Sequence, residues 1–254
     1  MASKIAVVTG ASSGMGQEFV LKLDREQQFD EIWVIARRRE RLLALSEKVR
    51  AKIVPLALDL TDSAAYEQYR EKLEAEHPDV RVLVNASGFG VFKPFMEIPL
   101  EEQLRMIDLN DKALVATTYL TIPYMNPGSC IYQLGSLSAF QPVPYINIYG
   151  ASKSFVLSFS RALNVELKGR GIRVMAVCPG WVKTEFFDHA VQDDTISYYN
   201  RYYTAAQVID RALRDMKKGK DVSICGFPVR AQVFATKLLP HKLVMKIWCS
   251  QQKK

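Results

Sequence analysis

The chain has 254 residues, 48% of them hydrophobic and 24% charged, which is enough to bury a sizeable core and is a common length for a single α/β domain. Its net charge is +7, but six basic and no acidic residues follow Asp221, so the remainder is close to neutral and we expect no nucleic-acid partner. An apolar run begins at Ile5, leaving no room for a cleavable signal, and no run reaches the roughly 20 residues of a membrane span, so we expect a soluble, cytoplasmic protein.

Short apolar runs alternate with longer amphipathic stretches along the chain. The runs predict strands near residues 5–8, 31–36, 53–57, 82–85, 128–134, 173–178 and 222–225. The stretches predict helices near residues 14–25, 39–50, 64–77, 100–122, 151–168 and 205–218. This alternation indicates βαβ units, and hence one doubly wound Rossmann domain with a seven-stranded parallel sheet and helices on both faces. We assign residues 1–227 to this dinucleotide-binding and catalytic domain.

The four cysteines and three histidines are dispersed along the chain. No two cysteines form a C-x-x-C pair, which is typical of reduced thiols in the cytosol, and we interpret all four as small apolar side chains: Cys130, Cys178, Cys225 and Cys249. Nothing assembles a cluster of metal ligands, so the sequence predicts no metal site.

A glycine-rich turn with the sequence TGASSGMG, residues 9–16, follows the first predicted strand directly. Glycines let the backbone turn sharply and approach a pyrophosphate, whose charge then meets the free N–H groups at the start of the next helix. The predicted contacts are Gly10, Ser12, Ser13, Gly14, Met15 and Gly16. The spacing differs from G-x-G-x-x-G, so a purely structural turn is the alternative.

The second predicted strand ends at a cluster of arginines: Arg37, Arg38, Arg39 and Arg41. A carboxylate near this position would hold the ribose 2′-hydroxyl of NAD, whereas a guanidinium suits a 2′-phosphate. The sequence therefore predicts NADP(H) rather than NAD(H), with Arg37 and Arg38 on the phosphate. The alternative is a solvated charged face, but cations at the start of a helix oppose its dipole unless an anion binds between them.

Tyr149 and Lys153 are four residues apart and share one face if the segment is helical. An ammonium favours the phenolate form, so we expect Lys153 to lower the pKa of Tyr149 from its usual value of about 10. Tyr149 would donate a proton to a carbonyl oxygen in reduction and accept one in oxidation. Ser136 can hydrogen-bond the same oxygen, and Asn110 can anchor a water that leads to Lys153. Each residue alone has an ordinary structural role, but their order and spacing together favour a proton relay.

Over residues 5 to about 225 the chain resembles the short-chain dehydrogenase/reductase family. The matching pieces are TGASSGMG, Asp59-Leu60, NASG at 85–88, Asn110, Ser136, YGASK at 149–153 and PGWVKT at 179–184. The resemblance implies that Asp59 and Leu60 meet the adenine, that Asn85 supports the cofactor loop and that Lys153 also binds the nicotinamide ribose. The remaining cofactor contacts that it implies are Ala86, Ser87, Gly88, Tyr149, Pro179, Gly180, Val182 and Thr184.

Two departures from the family pattern stand out. The usual N-N-A-G reads NASG here, and roughly 25 residues follow the last predicted strand, where many relatives end. We expect a homodimer or homotetramer, although the added length puts the standard tetramer in doubt.

Six aromatic residues lie in the segment 185–203: Phe186, Phe187, Tyr198, Tyr199, Tyr202 and Tyr203. The corresponding stretch in the family looks like a lid, and an aromatic lid favours a bulky apolar substrate. We predict hydroxysteroids, bile acids included, ahead of aliphatic ketones and acyl carbonyls. The alternative is a subunit contact.

Residues 228–254 form an amphipathic tail that Pro240 should divide into two short helices. Its apolar positions are Val233, Phe234, Leu238, Leu239, Leu243, Val244, Ile247 and Trp248. We expect the tail to pack on the same domain and cover the substrate cleft and a subunit interface; weak contact with an anionic membrane surface and binding of a partner are the alternatives.

These patterns together predict an NADP(H)-dependent oxidoreductase that moves a hydride between the nicotinamide and a ketone or secondary alcohol. The first alternative is an NADP-binding sensor or scaffold without turnover. The second is a hydrolase, because residues 10–14 match G-x-S-x-G, but only nine residues precede Gly10 and such an elbow sits deeper in a sheet.

Overall fold

The computed structural model describes residues 2–191, 193–199 and 201–254. Its strands are β1 (Lys4–Thr9), β2 (Glu31–Ile35), β3 (Lys52–Leu56), β4 (Asp79–Asn85), β5 (Cys130–Leu134), β6 (Arg173–Val177), β7 (Trp181–Val182), β8 (Tyr202–Tyr203) and β9 (Val222–Ser223). Seven of them form a parallel sheet in the order β3-β2-β1-β4-β5-β6-β9, and the prediction of a doubly wound sheet is confirmed. The short strands β7 and β8, which the sequence patterns did not predict, pair with each other.

The helices surround this sheet. They are α1 (Gly14–Glu26), α2 (Arg39–Leu43), α3 (Ala64–Glu76), α4 (Leu100–Ile107), α5 (Ala113–Thr121), α6 (Asn147–Glu166), α7 (Phe186–Ala190), α8 (Ala205–Lys217), α9 (Phe227–Leu238) and α10 (His241–Gln251). The helix predicted over 39–50 ends early, at Leu43, and continues as turns. The helix predicted over 100–122 contains a π-helical turn, Asp108–Lys112, between α4 and α5.

Alternation along β1 directs successive side chains to opposite faces of the sheet. Ala6 and Val8 pack on one side in a core with residues of α1 and α8, such as Phe19 and Leu213. Ile5 and Val7 pack on the other side with residues of α3, such as Tyr69 and Leu73. Both faces of the sheet are therefore covered, as a parallel sheet requires.

The strand order reverses at β1, which lies between β2 and β4. The connections leaving β1 and β4 therefore run to opposite faces and open a crevice at the carboxyl ends of these strands. All the predicted cofactor and catalytic residues lie on or after such strand ends. The sheet thus sets the position of the candidate site.

The tail folds back on the body of the protein as α9 and α10. Pro240 lies between them, where its missing N–H cannot break a helix. Val229 of α9 packs in the same core as β1 and α1, and Trp248 of α10 packs in a smaller cluster beside the crevice. Within the described part of the chain, no helix has the length and apolar character needed to cross a membrane.

Candidate active site

The glycine-rich turn after β1 forms a cradle at the start of α1. Gly10 has a φ of +66°, and a Cβ there would lie 2.7 Å from the carbonyl of Ala86; a Cβ at Gly16 would overlap the Gly10 carbonyl. The Ser13 side chain makes no capping hydrogen bond, and the first turn of α1 has no acidic residue. The N–H groups at this helix end are therefore open to an anion, and the close backbone approach fits a pyrophosphate.

Arg38 lies over this cradle. Its guanidinium donates to the hydroxyl of Ser12, at 3.3 Å from Nε and 3.0 Å from Nη2, and to the hydroxyl of Ser13 at 2.9 Å. Arg37 instead extends outward, 64% exposed, with its nearest carboxylate, Asp59, at 4.0 Å. Of the two arginines expected to share a 2′-phosphate, the structure brings only Arg38 to the glycine-rich turn, because successive side chains leave the end of β2 in opposite directions.

Glu185 was not among the predicted site residues. Its carboxylate accepts from Arg41 at 2.7 Å and from Arg38 at 3.1 Å, and these bonds hold the pKa of Glu185 below its usual range. The arginine cluster therefore does surround an anion, and this anion belongs to the chain itself. A phosphate, with about twice the negative charge of a carboxylate, would compete with Glu185 for these two guanidinium groups.

The loop after β4 is tied to the adjacent strands. The Thr9 hydroxyl at the end of β1 accepts from the backbone N–H groups of Ala86 and Ser87, both at 3.1 Å. Asn85 is buried and bonds to Thr117, Thr118 and Gln133 through its side-chain amide. Asn85 thus ties the end of β4 to α5 and β5, and its support of the cofactor loop stays a prediction.

Asp59 and Leu60 lie at the end of the β3 connection. The Asp59 carboxylate accepts from the N–H and hydroxyl of Thr61, and these bonds hold its pKa below the usual value although partial burial opposes them. Leu60 is buried in the second core. Asp59 lies 4.0 Å from Arg37, and the contact of the two residues with an adenine stays a prediction.

Tyr149, Ser136 and Lys153 come together at the carboxyl ends of β5 and β6. Helix α6 begins at Asn147, four residues earlier than predicted, so Tyr149 and Lys153 lie on one helical face. The Ser136 hydroxyl lies beside the Tyr149 phenol and acts to lower the pKa of that phenol. The Lys153 ammonium lies 5.6 Å from the centre of the Tyr149 ring and donates to the Leu134 carbonyl at 2.8 Å.

The expected direction of the Tyr149 pKa shift is wrong for the free protein. Burial raises the pKa of Tyr149 to about 12, while the Ser136 hydroxyl opposes this rise. Burial also lowers the pKa of Lys153 to about 8. Desolvation disfavours both the Tyr149 phenolate and the Lys153 ammonium. The spacing of the two residues predicts the neighbouring charge but not this loss of hydration.

Asn110 lies in the π-helical turn between α4 and α5. Its side chain accepts from the N–H of Phe89 and donates to the carbonyl of Phe89, both at 3.0 Å, and it donates to Ser152 at 3.1 Å. A Cβ at Gly88 would lie 2.8 Å from the Asn110 oxygen and 3.4 Å from the Lys153 nitrogen. Asn110 thus holds the loop after β4 against α6; a water between Asn110 and Lys153 stays a prediction.

Asp111, next to Asn110, is a further buried ionisable group that the sequence patterns did not single out. Burial raises its pKa to about 6, while the Lys153 charge opposes the rise. Its Oδ1 atom is buried without a hydrogen-bond partner. The π-helical turn brings this carboxyl to the Lys153 side of the helix, and such turns cluster at functional sites.

A cavity opens above Tyr149 and holds about 1050 Å³ of empty space, its open mouth included. Among the described residues that line it, Lys153 is the only charged one. Its walls are mainly aromatic and aliphatic; the aromatic residues are Phe92, Tyr149, Trp181, Phe186, Phe187, Tyr198 and Trp248. This composition suits a ligand with a large uncharged surface.

The predicted lid lines the cavity in part. Phe186, Phe187 and Tyr198 face the cavity, and Tyr199 and Tyr202 pack behind them on Phe187. Tyr203 lies outside this group, buried in the first core. The tail, which was expected to cover the cleft, lines the cavity with Trp248 and with two residues that were not singled out, Gln232 and Gln251.

The nicotinamide end of the crevice is formed by residues after β6. Pro179, Gly180, Val182 and Thr184 line the cavity beside Met15 of the glycine-rich turn. A Cβ at Gly14 would contact the Thr184 side chain at 3.4 Å. The glycine-rich turn therefore lies against the cavity wall at Thr184, and this placement fits a dinucleotide bound across the turn and the cavity.

Comparison with known sequences identifies the family. The family model described as short chain dehydrogenase matches residues 4–195. The chain belongs to the short-chain dehydrogenase family. This family member is 34% identical over 193 residues, 72% of its length and 75% of the relative, to sulfoacetaldehyde reductase 2 of Chromohalobacter salexigens. It is also 34% identical over 187 residues, 72% of its length and 74% of the relative, to an NADP-dependent 3-hydroxy acid dehydrogenase of Salmonella typhi.

Two solved structures share this fold with the short-chain dehydrogenase described here. One is a short-chain dehydrogenase of Sphingobium yanoikuyae in complex with NADPH, with a TM-score of 0.80, 28% identity and 92% of each chain covered. The other is the bulky-bulky ketone specific alcohol dehydrogenase of Comamonas testosteroni, with a TM-score of 0.72, 25% identity and coverage of 87% of this chain and 85% of that one.

Proposed function

We propose that this short-chain dehydrogenase is an NADP(H)-dependent oxidoreductase that interconverts a bulky, uncharged ketone and its secondary alcohol. The observation that carries the proposal is the meeting of Ser136, Tyr149 and Lys153 at the base of an apolar cavity, next to an anion cradle. A dinucleotide in that cradle would reach the cavity with its nicotinamide end.

The chain's own residues handle the proton. When bound, the nicotinamide supplies or accepts the hydride. Tyr149, protonated at neutral pH because its pKa is about 12, donates a proton to the carbonyl oxygen in reduction. Ser136 binds the same oxygen and orients it toward the phenol. Lys153 places a positive charge beside the ring, which stabilises the phenolate left after proton transfer.

The cofactor preference rests on Arg38 and Arg41. Their guanidinium groups converge on Glu185, and that of Arg38 also donates to the hydroxyls of Ser12 and Ser13, a set of donors suited to a phosphate. The positions that follow β2 carry Arg37 and Arg38 instead of the carboxylate that a free ribose 2′-hydroxyl would need. NADP in the named relative and NADPH in the named structure support the same preference.

The cavity composition favours an uncharged substrate over a small hydroxy acid. A hydroxy acid would bring a carboxylate close to the reacting carbon, and Lys153, the single charged lining residue in the described chain, is held by the Leu134 carbonyl. Leaving a carboxylate unpaired in an apolar cavity is costly. Hydroxysteroids are our leading candidates, bile acids included because their carboxylate is remote from the ring hydroxyls, and aliphatic ketones come next.

A panel of carbonyl compounds tests this proposal. NADPH consumption should be fastest, by about tenfold or more in kcat/KM, with bulky ketones such as ketosteroids, because an apolar cavity gains free energy with each buried methylene. Sulfoacetaldehyde and 3-oxo acids serve as the small anionic comparison. Preference for these anions would contradict the substrate assignment, and cofactor binding without turnover of any compound would favour a sensor or scaffold.

The hydrolase alternative loses support from the geometry of Ser12. Its hydroxyl accepts from the Arg38 guanidinium, which cannot take a proton from it. A nucleophilic serine needs a neighbouring base. The serine of the G-x-S-x-G match therefore serves the anion cradle.

A homo-oligomer remains our proposal for the assembly. The helices α4 to α6 expose several large apolar side chains away from the crevice: Leu100, Leu104, Ile107, Tyr119 and Phe155. Apolar surface of this kind marks contacts between subunits.

The outer face of the tail supports weak contact with an anionic membrane surface. Phe227, Ala231, Phe234 and Leu238 are spaced 4, 3 and 4 residues apart on α9 and form an exposed stripe opposite the buried Val229, Val233 and Thr236. On α10, Leu243 and Ile247 are exposed in the same way. Both stripes are flanked by exposed basic residues: Arg230, Lys237, Lys242 and Lys246. No acidic residue follows Asp221. Two such faces would repel each other, whereas anionic headgroups complement them.

Vesicle sedimentation tests this contact. Replacing Phe234 and Leu238 together by Ser should reduce binding to phosphatidylglycerol vesicles by about tenfold or more and leave activity on a soluble ketone unchanged, since both side chains point away from the cavity. Phosphatidylcholine vesicles and the Val165→Ser variant, at an exposed site on α6, are the controls. A change of oligomeric state without any vesicle binding would make this face a subunit contact.

A further inference from the structure

The C-terminal end of α10 reaches the lid through one buried side chain. Gln252 follows the last residue of α10 and is only 2% exposed, although glutamine side chains are mostly solvated. Its Oε1 atom accepts from the backbone N–H groups of Ser197 and Tyr198, both at 3.0 Å. Two consecutive lid amides therefore depend on one acceptor from the tail.

One turn earlier, α10 makes a second attachment. The indole N–H of Trp248 donates to the Pro144 carbonyl at 3.1 Å, in the loop that leads to α6 and Tyr149. Trp248 and Tyr198 line the same cavity. The last turns of α10 thus connect the lid with the loop before Tyr149.

We propose that Gln252 is a positioning residue for the substrate site: it fixes Ser197 and Tyr198 so that Tyr198 and Trp248 form one wall of the cavity. The substrate part of this inference rests on the proposed function. The wall contains none of Ser136, Tyr149 and Lys153. Loss of the attachment should therefore weaken the binding of bulky ketones and spare proton transfer to small ones.

Three variants of the full chain test the attachment. Gln252→Met keeps the length of the side chain without an acceptor, and Gln252→Glu keeps an oxygen for both lid amides. Ser250→Ala is the matched control at an exposed position on the same helix. Amide hydrogen exchange of the peptide that contains Ser197 and Tyr198 measures the attachment directly and needs no turnover.

Exchange at these amides should be about tenfold faster in Gln252→Met, because loss of the acceptor removes one net hydrogen bond or more. Ser250→Ala should exchange at the wild-type rate. Gln252→Glu should lie between the two, because it keeps the acceptor but loses the Nε2 donor that faces the Tyr198 carbonyl at 3.5 Å. The KM for a bulky ketone should rise by a similar factor in Gln252→Met, while kcat/KM for a small ketone and the Kd of NADPH stay unchanged.

The two readouts separate the possible failures. Unchanged exchange in Gln252→Met would overturn the attachment whatever the enzyme's substrate is. Faster exchange with an unchanged KM for the bulky ketone would overturn the role in substrate binding. If no carbonyl compound is turned over by the wild type, the proposed function fails while the exchange result still decides whether Gln252 holds the lid.

Discussion

A Tyr149→Phe variant is expected to bind NADPH as the wild type does and to lose turnover by a factor on the order of 10² or more, the usual scale for a positioned acid or base. The substitution removes only the hydroxyl that Ser136 contacts. The ring keeps its edge contacts with Phe92 and Phe186, so the walls of the cavity stay in place. Steady-state kinetics and a fluorescence titration of NADPH measure the two effects separately.

The pH dependence gives the same prediction a second readout. Because burial raises the pKa of Tyr149 to about 12, the proton-donating form dominates at neutral pH and reduction should vary little there. Oxidation needs the phenolate as acceptor, so its kcat/KM should increase with pH until Lys153, whose pKa burial lowers to about 8, loses the charge that stabilises the phenolate. Tyr149→Phe should lose this increase. Tyr119→Phe, at an exposed site on α5, is the control. Near-normal turnover in Tyr149→Phe would overturn the mechanism.

The features of the fold and of the site that could be predicted involve residues that are close together in the sequence. The glycine-rich turn sits directly between a strand and a helix, and Tyr149 and Lys153 lie one helical turn apart. Such local patterns fix which backbone groups and side chains meet. The order of the parallel strands then follows from βαβ connections, which is why the crevice at the carboxyl end of β1 was predictable.

The site features that the sequence patterns did not predict depend mainly on contacts between distant parts of the chain. Arg38 and Glu185 are 147 residues apart and Trp248 and Pro144 are 104 apart, and neither pairing leaves a local pattern. The sequence pattern also did not predict the π-helical turn that carries Asn110, because the apolar spacing around it is typical of one continuous helix. The predicted direction of the Tyr149 pKa shift was wrong for a related reason, because the burial of a side chain depends on the whole fold.

The arginine cluster carries the second large effect. Replacing Arg38 by Gln is expected to weaken the binding of NADPH by about 10-fold to 100-fold and that of NADH by much less. A charge-assisted hydrogen bond to a phosphate is worth about 1.5–3 kcal/mol, and NADH lacks that phosphate. Arg37→Gln is the matched neighbour. Its side chain is 64% exposed and points toward Asp59, so its effect should be smaller.

Titration of both cofactors against both variants decides the assignment. The sequence predicts that Arg37 and Arg38 both bind the phosphate, but only Arg38 donates to Ser12 and Ser13 at the cradle. If Arg38→Gln weakened the binding of NADPH and NADH equally, Arg38 would act by supporting the glycine-rich turn through the hydroxyls of Ser12 and Ser13. A larger loss of NADPH binding in Arg37→Gln would mean that the arginine side chains rearrange when the phosphate enters. High salt should reduce the NADPH preference of the wild type, because the guanidinium groups are partly exposed and their attraction for the phosphate is screened.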